Sequence, residues 1–401
     1  MDEKNIDLQE QENNIPENKK AVAWLTLGHG MADSYSGFIN PILPFIVSNI
    51  GASLAMATCA MSASQLFSSM MQPVFGFIAD KWRKRFFIFW GIIMASVFLS
   101  LTGLVHNIWQ LALCLILGGV GVGFYHPQAT GFVVRYSGKN LAQNMSIFIA
   151  AGTIGYSVGP IISSTITQFL GITRLPLAAS WGIVFALLCF VFVPKISDQP
   201  VKKDTTSFKT AVCDIFKNKT VRILIMVSAL KSLVTSSFSV LLPFYWKSLG
   251  YSAFQIGIAV FLFLTVGAFG TYISSKYEKV IGYKNVFYTS LIVPFILTVV
   301  FVSLLKLSPI LSFILFILTG FVTMLSVSIN MVMAQRTMPQ YKSMISGFIG
   351  GFSWGVVGVF LPLIGFVAQN IGIIKVLVII SFIPFVLSYF VKYLPDKQPQ
   401  E

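Results

Sequence analysis

Long apolar runs alternate along the chain with short polar joints, and most of the runs are close to one size. Each approaches the twenty or so residues that an α-helix needs to cross a hydrocarbon layer about 30 Å thick. Twelve such stretches are read, at 21–48, 54–78, 86–105, 109–132, 144–166, 176–194, 222–246, 253–274, 286–305, 309–333, 344–368 and 373–394. The predicted class is therefore an all-α integral membrane protein.

The joints carry the charge, and they carry it unevenly. Lys4, Lys19 and Lys20 precede the first span, and basic residues recur in every second loop: Lys81, Arg83, Lys84 and Arg85, then Arg135 and Lys139, the stretch from Lys195 to Arg222, Lys276, Lys279 and Lys284, then Arg336 and Lys342. The intervening loops hold Arg174, Lys247, Lys306 and Lys375. Basic loops stay on the cytoplasmic side, so both termini are expected in the cytoplasm of a cell carrying this chain in its membrane.

Composition removes whole classes of function. Only 10% of the 401 residues are charged and 55% are hydrophobic, against roughly 25% charged in soluble domains. A soluble enzyme or nucleic-acid binder would lack a water-facing surface. The net charge of +14 is accordingly read as membrane topology, with the lipid bilayer as partner and no nucleic acid. Four cysteines show no disulfide or metal spacing, the acidic first twenty residues do not resemble a signal peptide, and neither metal nor cofactor is expected. Gly119-Val-Gly-Val-Gly123 is no nucleotide loop, because no strand precedes it and no lysine of the phosphate-binding kind follows.

The chain also repeats itself. The stretch from Pro41 parallels that from Val240, with Pro44 opposite Pro243 and Gly51 opposite Gly250, and SSTITQFLGI from Ser163 parallels IGFVAQNIGI from Ile364. Two six-helix halves follow from this duplication. The expected organisation is a tail at 1–20, a bundle at 21–194, a basic linker at 195–221, a second bundle at 222–394 and a tail at 395–401. This 6 + 6 pattern is that of a two-bundle secondary transporter.

After the second span comes Gly76-Phe-Ile-Ala-Asp80-Lys81-Trp-Arg83-Lys84-Arg85, which resembles the loop signature of the major facilitator superfamily, with Arg83 where that family usually has Gly. Gly119 to Gly131 with Tyr125-His126-Pro127, Leu27-Gly28-His29 with Asp33, and Ala334-Gln335-Arg336 with Pro339 are similar to the fosmidomycin-resistance branch of that superfamily. The resemblance implies twelve helices in two bundles and proton-coupled antiport that exports a small polar or drug-like compound, with antibiotic resistance as one consequence. Two alternatives stay open: proton symport for uptake of an organic nutrient, and export of a metal-chelating metabolite. One chain holds both halves, so a monomer suffices. No ATP-binding motif is present.

Ionisable groups inside a bilayer cost roughly 2.5 to 3.5 kcal/mol each at a helix centre, so each is a candidate for function. His29, Asp33, Ser36 and Asn40 recur at helical spacing and draw a polar stripe along the first span. Asp33 is the candidate proton-binding carboxylate. His29 lies one turn away and can relay protons, and Lys231 matches the depth of Asp33 on the symmetry-related helix, where the two can pair or Lys231 can snorkel. His126 is placed on the substrate path by the resemblance, and packing describes it as well. Tyr35, Asn40, Tyr125 and Gln128 complete the expected path. Gating is expected from Gly76, Asp80, Lys81, Arg83, Lys84 and Arg85, and from the small-residue run Gly155, Gly159 and Pro160, which permits close helix approach and a bend. A histidine one turn from a carboxylate would also suit an intramembrane enzyme, but no nucleophile or paired carboxylate accompanies it, so no catalytic residue is expected.

Overall fold

A computed structural model describes residues 17–72, 74–75, 86–194, 208–305 and 307–395. Among these residues ten helices are long and apolar enough to cross a membrane, from Phe86–Leu104 to Ile373–Tyr393. They correspond to the third to twelfth expected spans. The first two complete a twelve-helix, two-bundle membrane fold but are interrupted. The first is a helix at Lys19–Phe38, a turn, and a short helix at Leu43–Asn49 with proline in its first turn. Pro41 and Pro44 lack the N–H that a continuous helix would need there. The second runs over Leu54–Gln65 into a π-helical turn at Leu66–Met70. The loop motif Gly76, Asp80, Lys81, Arg83, Lys84 and Arg85 lies outside the described residues.

Two further spans depart from the continuous helices expected. The tenth breaks at Leu325–Ser326 into Pro309–Met324 and Val327–Thr337. The eleventh passes through a π-helical turn at Phe348–Phe352 before Ser353–Ile371. The residues between the halves are also more than a linker, because Phe208–Lys217 forms a helix. Its apolar positions recur at three and four residues, the spacing of one helical face. Ile215 on that face is fully buried in the core of the second half, the Phe216 ring meets Phe348 at 5.3 Å, and Tyr341 donates to the Asp214 carboxylate at 3.0 Å.

The duplication reappears as backbone geometry. Gly51 and Gly250, aligned in sequence, both take positive φ (66° and 87°), and so do the aligned Gly171 and Gly372 (92° and 99°). Each pair forms the same turn in the two halves, in a region of φ that other residues enter at a cost.

Close packing fixes the first span against the fifth (Gln143–Phe169). A Cβ on Gly155 would overlap the carbonyl of Gly30, and one on Gly159 would overlap that of Ser34. The two helices thus touch backbone to backbone, which only small residues permit. The halves touch along the second and eleventh spans, from Ala55 and Gln369 to Met70 and Gly355, and the contacts are densest toward the end that carries residues 44, 55, 247 and 369. Between these spans Ser62 donates to the Gly358 carbonyl, and at that end the Lys247 ammonium donates to the Pro44 carbonyl at 3.0 Å and the Ala55 N–H donates to Gln369 Oε1 at 3.0 Å. Phe169 and Phe254 close the same end with ring centroids 5.4 Å apart.

Candidate functional site

The polar stripe of the first span turns inward and meets the fourth span (Ile108–Tyr136). Asp33 sits between two imidazoles: His29 Nε2 is 3.3 Å from Oδ2, and His126 Nε2 is 3.1 Å from Oδ1. His29 reaches Asp33 because residues four apart share a helix face. His126 arrives from another helix, next to Pro127, which that helix accommodates without ending. The Asp33 and His126 side chains keep 17% and 21% of their surface exposed and His29 keeps 9%, so the carboxylate is mostly enclosed by protein.

The second nitrogen of His29 fixes the proton count. His29 Nδ1 lies 2.7 Å from the Phe148 carbonyl, an oxygen that only accepts, so Nδ1 carries a hydrogen. A neutral His29 then has a bare lone pair on Nε2, directed at the Asp33 carboxylate. The 3.3 Å contact needs a proton on one side or the other, either on His29 as imidazolium or on Asp33 as a carboxylic acid. The His29 to Asp33 contact is thus one that a single shared proton satisfies. The Phe148 ring stacks on His29 at 4.1 Å and the His126 ring meets it edge-on at 4.9 Å, which holds the imidazole plane.

Gly152 on the fifth span makes room for this group. A Cβ there would stand 2.6 Å from His29 Nε2 and 2.7 Å from Asp33 Oδ2. Neither the service of Gly152 to the carboxylate nor the part of the Phe148 carbonyl was legible in the sequence. Three ligand atoms of His29, Asp33 and His126 also lie within 4.8 Å of one another, the composition of a divalent-metal site. The two contacts to Asp33 are also at hydrogen-bond distance, so the same geometry suits a proton.

Of the five residues expected on the substrate path, His126 alone joins this group. Tyr35, 3% exposed, donates to the Ala178 carbonyl at 2.6 Å and accepts from the Gly182 N–H at 3.1 Å, tying the first span to the sixth. Tyr125 is fully buried and donates to the Leu25 carbonyl at 2.5 Å. Gln128 accepts from the Ile88 N–H at 2.8 Å. Asn40, 2% exposed, bonds Tyr156. These four brace helices. Their polar tips take partners because an unpaired polar group in the interior is costly.

Lys231 does not reach Asp33. It is 3% exposed and donates to Ser326 Oγ at 2.5 Å, and Ser290 donates to the same oxygen at 2.9 Å. Ser326 stands at the break in the tenth span, so the interrupted helix supplies the acceptor that this buried lysine needs. Gly155, Gly159 and Pro160 lie where the fifth span presses on the first, and Pro160 stays within its helix.

Twelve membrane-crossing segments in duplicated halves, with titratable groups enclosed between helices, define a multi-span transporter of small molecules. The model of the Major Facilitator Superfamily matches residues 25–362, and the chain belongs to that superfamily. It is 27% identical over 387 residues to the fosmidomycin resistance protein of Escherichia coli, covering 94% of this chain and 93% of that one. It is 25% identical over 349 residues to a quinolone resistance protein of Staphylococcus aureus, covering 84% of each. Among solved structures, a D-xylose–proton symporter superposes with a TM-score of 0.76 at 12% identity, over 95% of this chain and 99% of that one, a likeness of fold alone. The curated relatives therefore include drug-resistance proteins, as the sequence motifs implied.

Proposed function

We propose that this chain is a proton-coupled antiporter that exports a small polar or drug-like compound, with His29, Asp33 and His126 as its proton site. The observation that carries the reading is the Nε2 to Oδ2 contact between His29 and Asp33, which requires a proton. When that proton leaves, a lone pair faces a carboxylate, and two acceptors repel. His29 must then give up the Phe148 carbonyl on the fifth span or move away from Asp33. Either response rearranges the contact of His29 with the fifth span at Phe148, which ties protonation to the packing around the site. The polar environment of the triad and its residual exposure suit a place where substrate and proton alternate.

The resistance proteins among the relatives support the outward direction. The basic loops support cytoplasmic termini, and with that orientation the contacts of Lys247 with Pro44 and of Ala55 with Gln369 lie on the outer side of the membrane. The working unit is a monomer of two bundles, joined through 195–221.

The experiment is solute-driven proton movement in proteoliposomes loaded with a pH-sensitive dye, using fosmidomycin, quinolones, sugars and organic acids as solutes. Antiport predicts protons moving against the solute. Protons moving with the solute would instead make the chain a symporter, and flux without proton movement would remove proton coupling altogether.

A further inference from the structure

A second site lies far from the triad, where the seventh span (Lys219–Ser248) begins and the twelfth ends. A pocket of about 350 Å³ opens there between Lys219, Arg222, Ile223, Met226, Phe390 and Tyr393. Its rim is cationic and its floor is apolar. Lys219 Nζ lies 3.9 Å from the centre of the Tyr393 ring, and Lys392 Nζ lies 3.5 Å from that of Tyr389. Arg222 spends one of its five N–H donors on the Phe216 carbonyl at 3.2 Å, which leaves donors of the fork for a ligand. Among the described residues none of these three cations forms an ion pair with a carboxylate. A bias of basic residues toward one side of the membrane explains why they lie at this end. It does not explain cations gathered over aromatic faces around an apolar hollow.

We propose that this pocket binds the phosphate headgroup of an anionic membrane phospholipid. The cations match the phosphate, and the surface beyond them matches the chains. Tyr389, Phe390 and Tyr393 are 56%, 36% and 41% exposed, and Val386 one turn back is 51% exposed, so an apolar and aromatic track leads out of the pocket along the twelfth span. A free phosphate would use the rim and leave that track bare, whereas a phospholipid uses both. Tyrosines at such a position suit the level of the headgroups, and basic pockets between membrane helices are a recurrent form of lipid recognition. Because the pocket joins the two helices that bound the second half, its occupant would brace that bundle independently of the proton site.

The test is native mass spectrometry of the purified full chain in detergent with equal dioleoyl-phosphatidylglycerol and dioleoyl-phosphatidylcholine. The wild type is expected to retain the anionic lipid preferentially. Lys219→Gln with Arg222→Gln should weaken that retention about 30-fold, equivalent to about 2 kcal/mol for two basic residues at a membrane surface. The exchange Lys219→Arg with Arg222→Lys should retain it, and so should Lys276→Gln with Lys279→Gln, an exposed basic pair elsewhere. Equal retention of both lipids by the wild type, an equal loss in both glutamine pairs, or displacement of the lipid by millimolar inorganic phosphate would each overturn the proposal.

Discussion

Gly152→Ala tests the proton site without removing any of its groups. A methyl at this position would stand 2.5 Å from His29 Cε1, 2.6 Å from Nε2 and 2.7 Å from Asp33 Oδ2, where ordinary contact begins at 3.4 Å. The imidazole cannot retreat, because the Phe148 ring covers it at 4.1 Å and the Phe148 carbonyl holds Nδ1 at 2.7 Å. Relief must come from the fifth span backing away from the imidazole and from Asp33 Oδ2 shifting by up to about 0.7 Å away from the new methyl, at an overpacking cost of roughly 1–3 kcal/mol. That takes the 3.3 Å contact of Asp33 with His29 beyond hydrogen-bond range. A hydrogen bond to a charged group contributes about 1.5–3 kcal/mol, so proton binding should weaken roughly 10- to 100-fold. The assay is solute-driven proton flux in proteoliposomes across pH, with thermal unfolding as a check on the fold. Gly131→Ala on the fourth span is the control, because nothing lies within 4 Å of its new methyl. A Gly152→Ala protein with wild-type flux and pH profile would refute the claim that the His29 to Asp33 contact holds the transported proton.

Four further outcomes follow from the packing. Tyr125→Phe removes the 2.5 Å bond to Leu25 and should cost about 1 kcal/mol of stability. It should leave the KM for solute unchanged, and a raised KM at unchanged stability would return Tyr125 to the substrate path. Lys231→Met removes a buried ammonium that has a hydroxyl and no carboxylate as partner, so the melting temperature in detergent should hold or rise; a marked fall would show that the lysine supports the fold. Gly155→Val drives a side chain into the Gly30 backbone and should abolish folded yield by size-exclusion chromatography, which a well-folded variant would contradict. Lys247→Met removes the donor that closes one end on the Pro44 carbonyl. Loss of about 1.5–3 kcal/mol should raise the opening of that end roughly tenfold or more, read as the labelling rate of a cysteine placed at Ser48, and an unchanged rate would discount the contact as a closure.

What could be read in advance was whatever hydrophobic length and rare intramembrane charge encode. The twelve segments follow from apolar runs, and Asp33 with His29 follows from a polar stripe on an otherwise apolar helix. The third member was harder. His126 is ninety-three residues from Asp33 along the chain, and its meeting with that carboxylate depends on the fourth span crossing the first, which periodicity does not specify. The Phe148 carbonyl carries no side-chain signature at all, since any residue would supply it.

The breaks divide in the same way. Pro41 and Pro44 advertise the interruption of the first span, whereas the run around Leu325 and Ser326 contains neither proline nor glycine, and its break is marked only by the bonds that Ser326 accepts from Lys231 and Ser290 across the bundle. The helix at Phe208–Lys217 was hidden by its basic surroundings, although its apolar residues recur at helical spacing. Tyr35, Tyr125 and Gln128 carry pocket-like side chains, yet each hydroxyl or amide is met by a main-chain partner on another helix, a pairing decided only by the fold.

The central claim is that Asp33 couples solute movement to the proton. Asn at this position keeps the shape and the possibility of a bond to each imidazole but cannot exchange a proton. In proteoliposomes, Asp33→Asn should therefore retain solute counterflow, which needs only alternating access, and lose accumulation driven by a pH gradient. Accumulation at the wild-type level in Asp33→Asn would contradict the account.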